Sequence, residues 1–152
     1  MKDGQEKNKF RYAEKCLYEY KRNLAALEVL RRDLIVERAG SDVHAQNYQL
    51  NFNFGGEPSN PVQARLIKIE TLEDRIKKLE RVTQPITRLI NDLNSDENLE
   101  GSNNKMLYEV LKLMYFGKNK PVSIRDELAI SKRSFSFFRV ELVKTAIDYL
   151  AL

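Results

Sequence analysis

The sequence predicts an all-α protein: an N-terminal long helical hairpin of coiled-coil character followed by a C-terminal helix-turn-helix module. Three observations carry that prediction. Two long segments, about 6–38 and 61–94, repeat apolar residues at alternating three- and four-residue spacing, the period of one helix face. A polar stretch at 95–103, with a single glycine, separates them from the last third of the chain. That last third then holds a brief helix and a longer last helix joined by a turn of a few residues.

In the first segment Phe10, Ala13, Leu17, Tyr20, Leu24, Leu27 and Leu34 share one face, with Arg31 in the remaining heptad slot. Gly40, following Arg38 and Ala39, is the expected helix stop. Residues 39–60 then read as a Gly/Asn-rich connection, unusually long for a compact domain. Within it Tyr48, Leu50, Phe52 and Phe54 alternate with polar residues, a strand period. A lone strand cannot satisfy its backbone groups, so three readings stand: a mobile segment, one lying across the helices, or one pairing with a second copy.

Asn60 is the expected cap of the second long helix, with Pro61 in its first turn, where a missing N–H costs little. Ile69, Leu72, Ile76, Leu79, Ile86, Ile90 and Leu93 keep heptad spacing, with Thr83 in the polar slot and charged residues between, as in a coiled-coil seam. Pro85 is expected to kink or split this helix, leaving Thr83 to cap the second piece. Two such helices of matching length imply a hairpin, and a thin hairpin gains from association. The expected organisation is 1–94, a hairpin that mediates self-association; 95–103, a linker; and 104–152, a DNA-binding module.

In that module Met106, Leu107, Val110, Leu111, Leu113 and Met114 form an amphipathic helix stopped near Gly117 and Pro121. Ser123 is the expected N-cap of a brief helix, Ile124 to Leu128; Ala129 and Ile130 make a tight turn; Ser131 caps the last helix. Ile124, Leu128 and Ile130 are spaced to lock two helices together, and Phe135, Phe138, Leu142, Ala146 and Tyr149 form the core side of the last one. Its opposite side offers Lys132, Arg133, Ser134, Ser136 and Arg139 to a DNA major groove, where Arg reads guanine and Ser donates or accepts. Lys118, Lys120, Ser123, Arg125 and Lys144 are placed for phosphates.

Charge agrees with this division. Residues 1–104 balance 17 Lys/Arg against 17 Asp/Glu, whereas 105–152 carry 9 against 5, so the whole net charge of +4 lies in the last third. Enzyme chemistry is not expected. The single histidine, His44, sits in the Gly/Asn-rich connection without a nucleophile beside it, and there is neither a phosphate-binding glycine loop nor metal-ligand spacing. No cofactor is implied. The single cysteine, Cys16, falls in a helical pattern and reads as a small hydrophobe. With no apolar run long enough to span a bilayer and no signal-peptide pattern, a cytoplasmic protein without membrane contact is expected.

The stretch SIRDELAISKRSFSFFRVELVKTAIDYLA, through Ile124, Leu128, Ile130, Ser131 and Phe135, resembles the helix-turn-helix of sigma-factor region 4 and of phage regulators built on it. Together with LYEYKRNLAALEVL, the Gly/Asn-rich connection and LEDRIKKLE, the chain resembles the ArpU/RinA-like phage transcriptional regulators over nearly its whole length. The resemblance implies sequence-specific binding to double-stranded DNA in a bacterial host cell and activation of a late packaging or lysis operon. A homo-oligomer, a dimer or larger, is expected from the heptad seams and from two-fold binding to DNA, with host RNA polymerase as a candidate further partner. Two positions depart from such modules: Arg125, where a small residue is usual and whose stem must leave the helix contact, and Ala129, where glycine is common. A small terminase subunit and a helical adaptor that binds only protein are the alternatives; the former usually carries its DNA-binding module at the N-terminus.

Overall fold

The computed structural model describes residues 2–50, 61–95 and 103–152, and for 41–50 the backbone alone. Every element in these residues is helical: α1 (Lys2–Leu50), α2 (Pro61–Leu93), α3 (Asn104–Val110) continuing as a π-helix (Leu111–Phe116), α4 (Pro121–Leu128) and α5 (Lys132–Leu150). The all-α class follows. No described helix is long and apolar enough to cross a membrane.

Several element boundaries differ from expectation. Gly40 does not end α1, which continues to Leu50. Glycine inside a helix costs about 1 kcal/mol relative to alanine, too little to stop one already propagating. His44, Tyr48 and Leu50 therefore lie on helical backbone rather than in a loop or strand, while Phe52, Phe54 and Asn60 fall outside the described residues. Pro85 does not split α2, which is helical throughout Pro61–Leu93. The proline ring is buried, and its missing N–H orphans the carbonyl of Arg81, an exposed residue where water can supply the bond. Thr83 is accordingly no cap: it is buried at mid-helix, and its carbonyl accepts the Thr87 hydroxyl at 3.0 Å.

The described chain forms two compact units, divided within the long helices: residues 1–23 with 81–152, and residues 24–80. In the smaller unit Leu27 and Leu34 of α1 bury against Leu72 and Ile76 of α2. Arg31 pairs with Glu80 at 3.0 Å, Arg38 with Glu73 at 2.6 Å and Lys68 with Glu37 at 2.6 Å, so the two segments run antiparallel. Exposed pairs of this kind contribute about 0–1 kcal/mol each; the apolar contacts supply most of the stability and the charges fix the register.

The larger unit has one core. Ala13, Leu17 and Tyr20 of α1 and Ile86, Leu89 and Leu93 of α2 bury with Leu107, Val110, Leu111 and Tyr115, Ile124 of α4, and Phe135, Leu142, Val143 and Ala146 of α5. The C-terminal helices thus share their interior with one end of each long helix. Cys16, on α1 in the same unit, is a buried free thiol, and burial raises its pKa.

The π-helix explains part of this packing. Gly117 N–H bonds the Lys112 carbonyl at 2.8 Å, five residues back, so the turn is one residue wider than an α-turn. The widened turn brings both Tyr115 and Phe116 onto α1: Tyr115 meets Tyr18 edge-on at 4.6 Å between centroids, and Phe116 stacks on Tyr20 at 5.5 Å.

Candidate nucleic-acid interface

The helix-turn-helix arises from three local devices. Pro121 fixes the first helical position of α4, and Lys120 before it is extended (ψ 148°). This start places Ser123 in the first turn as an exposed residue rather than as the cap. Ala129 ends α4 in the left-handed region (φ 54°, ψ 45°). Its N–H bonds the Asp126 carbonyl at 3.4 Å, and Ile130 N–H bonds Arg125 O at 3.1 Å, the paired bonds of a Schellman end. Ser131 then caps α5 as expected, its Oγ accepting Ser134 N–H at 3.1 Å. Ile124 is buried, and Leu128 and Ile130 pack partly buried on the same core, so the turn is closed over apolar contacts.

Of the residues expected to meet DNA, Lys118, Lys120, Ser123, Lys132, Arg133, Ser136 and Lys144 are exposed. Among the described residues, none of the five cations in that set has an ion-pair partner. On α5, Arg133, Ser136 and Lys144 occupy one outward stripe, with Lys132 at its N-terminal edge. Lys118 sits in the turn before α4 with left-handed backbone (φ 52°).

Three expected positions are otherwise engaged. The Ser134 hydroxyl accepts the Ser131 hydroxyl at 3.1 Å, which makes it part of the cap. The Arg125 stem does not wholly leave the helix contact: the residue is half-buried, and its Nε is buried without a partner. Arg139 is the largest correction. Its Nε and a terminal nitrogen bond both Glu14 carboxylate oxygens, at 2.8 and 3.0 Å, and its guanidinium lies 5.8 Å from the Phe10 ring centroid. It ties α5 to α1 and does not stand free for a base.

Glu14 accepts a third bond, from the Tyr115 hydroxyl at 2.9 Å. Burial, then the Glu14 charge and hydrogen bond, push the Tyr115 phenol far above its ordinary range. At Arg139 burial works against the charge, but Glu14 outweighs it and the net shift is upward. Tyr149 donates to the Asp92 carboxylate from the far end of α5, and that bond raises its pKa. The inner side of α5 is thus anchored by polar contacts at two levels, leaving only its outer side for a ligand.

That outer side contains two apolar residues not anticipated from the sequence, Phe137 (51% exposed) and Val140 (36% exposed). Their signal was present: Arg133, Phe137, Val140 and Lys144 follow four-three-four spacing. Four apolar side chains within six residues, Phe135, Phe137, Phe138 and Val140, obscured it, since each reads as a candidate for the core. Among the described residues no cluster of His, Cys, Asp or Glu is arranged to hold a metal ion. Compared with protein-family models, curated proteins and solved structures, the chain matches none.

Proposed function

We propose that this protein is a sequence-specific DNA-binding transcriptional regulator that reads the major groove with the outer face of α5. The observation that carries the reading is that face itself: Lys132, Arg133, Ser136 and Lys144, exposed, with the three cations unpaired among the described residues, on the second helix of a closed helix-turn-helix. Lys118 and Lys120, before α4, suit the flanking phosphates. The resemblance drawn from the sequence supports a phage late-gene activator in a bacterial cytoplasm, with RNA polymerase as a candidate partner.

Self-association belongs to the same reading. The unit of residues 24–80 leaves Val29, Ile35, Val36, Val62, Leu66 and Ile67 each more than half exposed. Large apolar side chains in that number suit a covered surface, and a second copy supplies one in a two-fold complex with reading helices about 34 Å apart on DNA. Sedimentation at tens of micromolar is expected to give a dimer or larger; a monomer at every concentration removes this element.

The test of the main reading is a titration of the full chain against duplex fragments from its neighbouring genome at two salt concentrations. Tight binding to one fragment is expected, weakening as salt rises, because each neutralised phosphate releases counterions. Folded protein that binds no fragment overturns the proposal and favours the protein-only adaptor.

A further inference from the structure

We infer that Phe137 and Val140 read thymine through its methyl group, so that the recognition sequence carries thymine beneath the second and third turns of α5. The inference rests on the DNA-binding reading above and adds the base it selects. Of the aromatic residues at the start of α5, Phe135 is buried and Phe138 half-buried, whereas Phe137 is more than half exposed. Its ring is held: it meets the Phe138 ring edge-on, with centroids 5.6 Å apart and planes at 69°. Phe138 packs against the core, so Phe137 is a positioned apolar surface rather than a loose side chain.

Its neighbours on the stripe decide what that surface meets. Arg133 precedes it by one turn, Ser136 adjoins it, and Lys144 follows two turns on, so any occupant must satisfy cations at both ends and an apolar group between. A DNA duplex offers anionic phosphate rails on both sides of a groove. Within the major groove the apolar protrusion is the C5-methyl of thymine, which Phe and other apolar side chains contact. Phe137 and Val140 are one turn apart on the same stripe, about 4.5 Å along the helix, so both can reach the same short stretch of groove, with Arg133 on their N-terminal side.

The test uses the full chain and a random-sequence duplex pool. Duplexes enriched by the protein are resynthesised with deoxyuridine replacing thymidine one position at a time, which removes the methyl and leaves every Watson–Crick bond. One or two replacements are expected to weaken binding about fourfold each, the effect of one buried methyl-sized group. Phe137→Ala is expected to bind the thymine duplex more weakly and to lose the difference between thymine and uracil at one position. Phe137→Leu, which keeps an apolar end, should retain part of it. Unchanged far-ultraviolet circular dichroism and melting of both variants show that the fold is kept. Enrichment without any uracil effect, or a uracil effect that persists undiminished at every position in Phe137→Ala, overturns this inference and leaves DNA binding standing. No enrichment at all overturns both.

Discussion

Arg133 and Arg139 lie on the same helix, six residues apart in sequence, yet replacing each with alanine should produce opposite phenotypes. The Arg139 side chain is 40% exposed and its partner Glu14 only 15%. Arg139→Ala removes two charge-assisted bonds and the contact over Phe10, and leaves a mostly buried carboxylate with the Tyr115 hydroxyl alone. Breaking a fully buried pair costs about 3–5 kcal/mol; solvent access at Arg139 reduces this to about 2 kcal/mol. For a chain of this size the melting temperature should fall by about 4–8 °C. Arg133 is exposed and unpaired among the described residues, so Arg133→Ala should leave melting within about 1 °C while lowering specific DNA affinity by about 1–3 kcal/mol. Thermal melts by circular dichroism and a double-mutant cycle with Glu14→Ala measure the stability arm. A coupling of about 1 kcal/mol or more is expected, and wild-type melting of Arg139→Ala with zero coupling would refute the assignment of Arg139 to the Glu14 anchor.

Ala129→Gly should stabilise the protein by up to about 1 kcal/mol, because the left-handed turn strains any residue with a β-carbon; urea midpoints check it, and a lower midpoint contradicts the turn. Gly117→Ala should destabilise by about 1–2 kcal/mol in the same assay. Gly117 has an ordinary φ of −82°, but an added β-carbon would lie 3.0 Å from the Leu113 carbonyl oxygen and 3.2 Å from that of Lys112. The Tyr115 phenol is raised in the folded state, so its stabilisation is complete below the ordinary tyrosine value near 10 and is lost as pH rises beyond it toward the folded pKa. Denaturation titrations above about pH 10 should therefore show stability falling more steeply in the wild type than in Tyr115→Phe, and equal slopes would exclude the effect.

Periodicity made the helices and their inner faces legible: Leu17, Leu72, Ile76, Ile86, Leu142 and Ala146 are buried where the spacing puts them. The turn chemistry at Ser131 was equally readable, because a cap needs only its neighbours. Contacts between distant residues were not readable. Arg139 lies four residues after Phe135 and three before Leu142, so spacing already put it on the inner face and Arg133 on the outer one; what could not be read was its partner, 125 residues away. The same holds for Leu89 and Val143, buried beside the expected seams because the larger unit surrounds its helices on more than one side. Breakers misled in the opposite direction: Gly40 and Pro85 carry local penalties that the long helices absorb.

The larger unit is assembled from both ends of the chain, and this sets an order for folding. The Arg38–Glu73 pair closes 35 residues, Arg31–Glu80 closes 49, Tyr20–Thr87 closes 67, and Arg139–Glu14 closes 125. Closing a loop of that third length at once costs about 4 kcal/mol of chain entropy, whereas each step taken from an already closed neighbour costs much less. Assembly is therefore expected to proceed as a zipper from residues 24–80 outward, with α5 locking last, after α1 has waited for the residues between them to be made. Pulse-labelled hydrogen exchange should protect the amides around Leu34 and Leu72 before those around Leu142; simultaneous protection would show that the ends meet without the middle leading them.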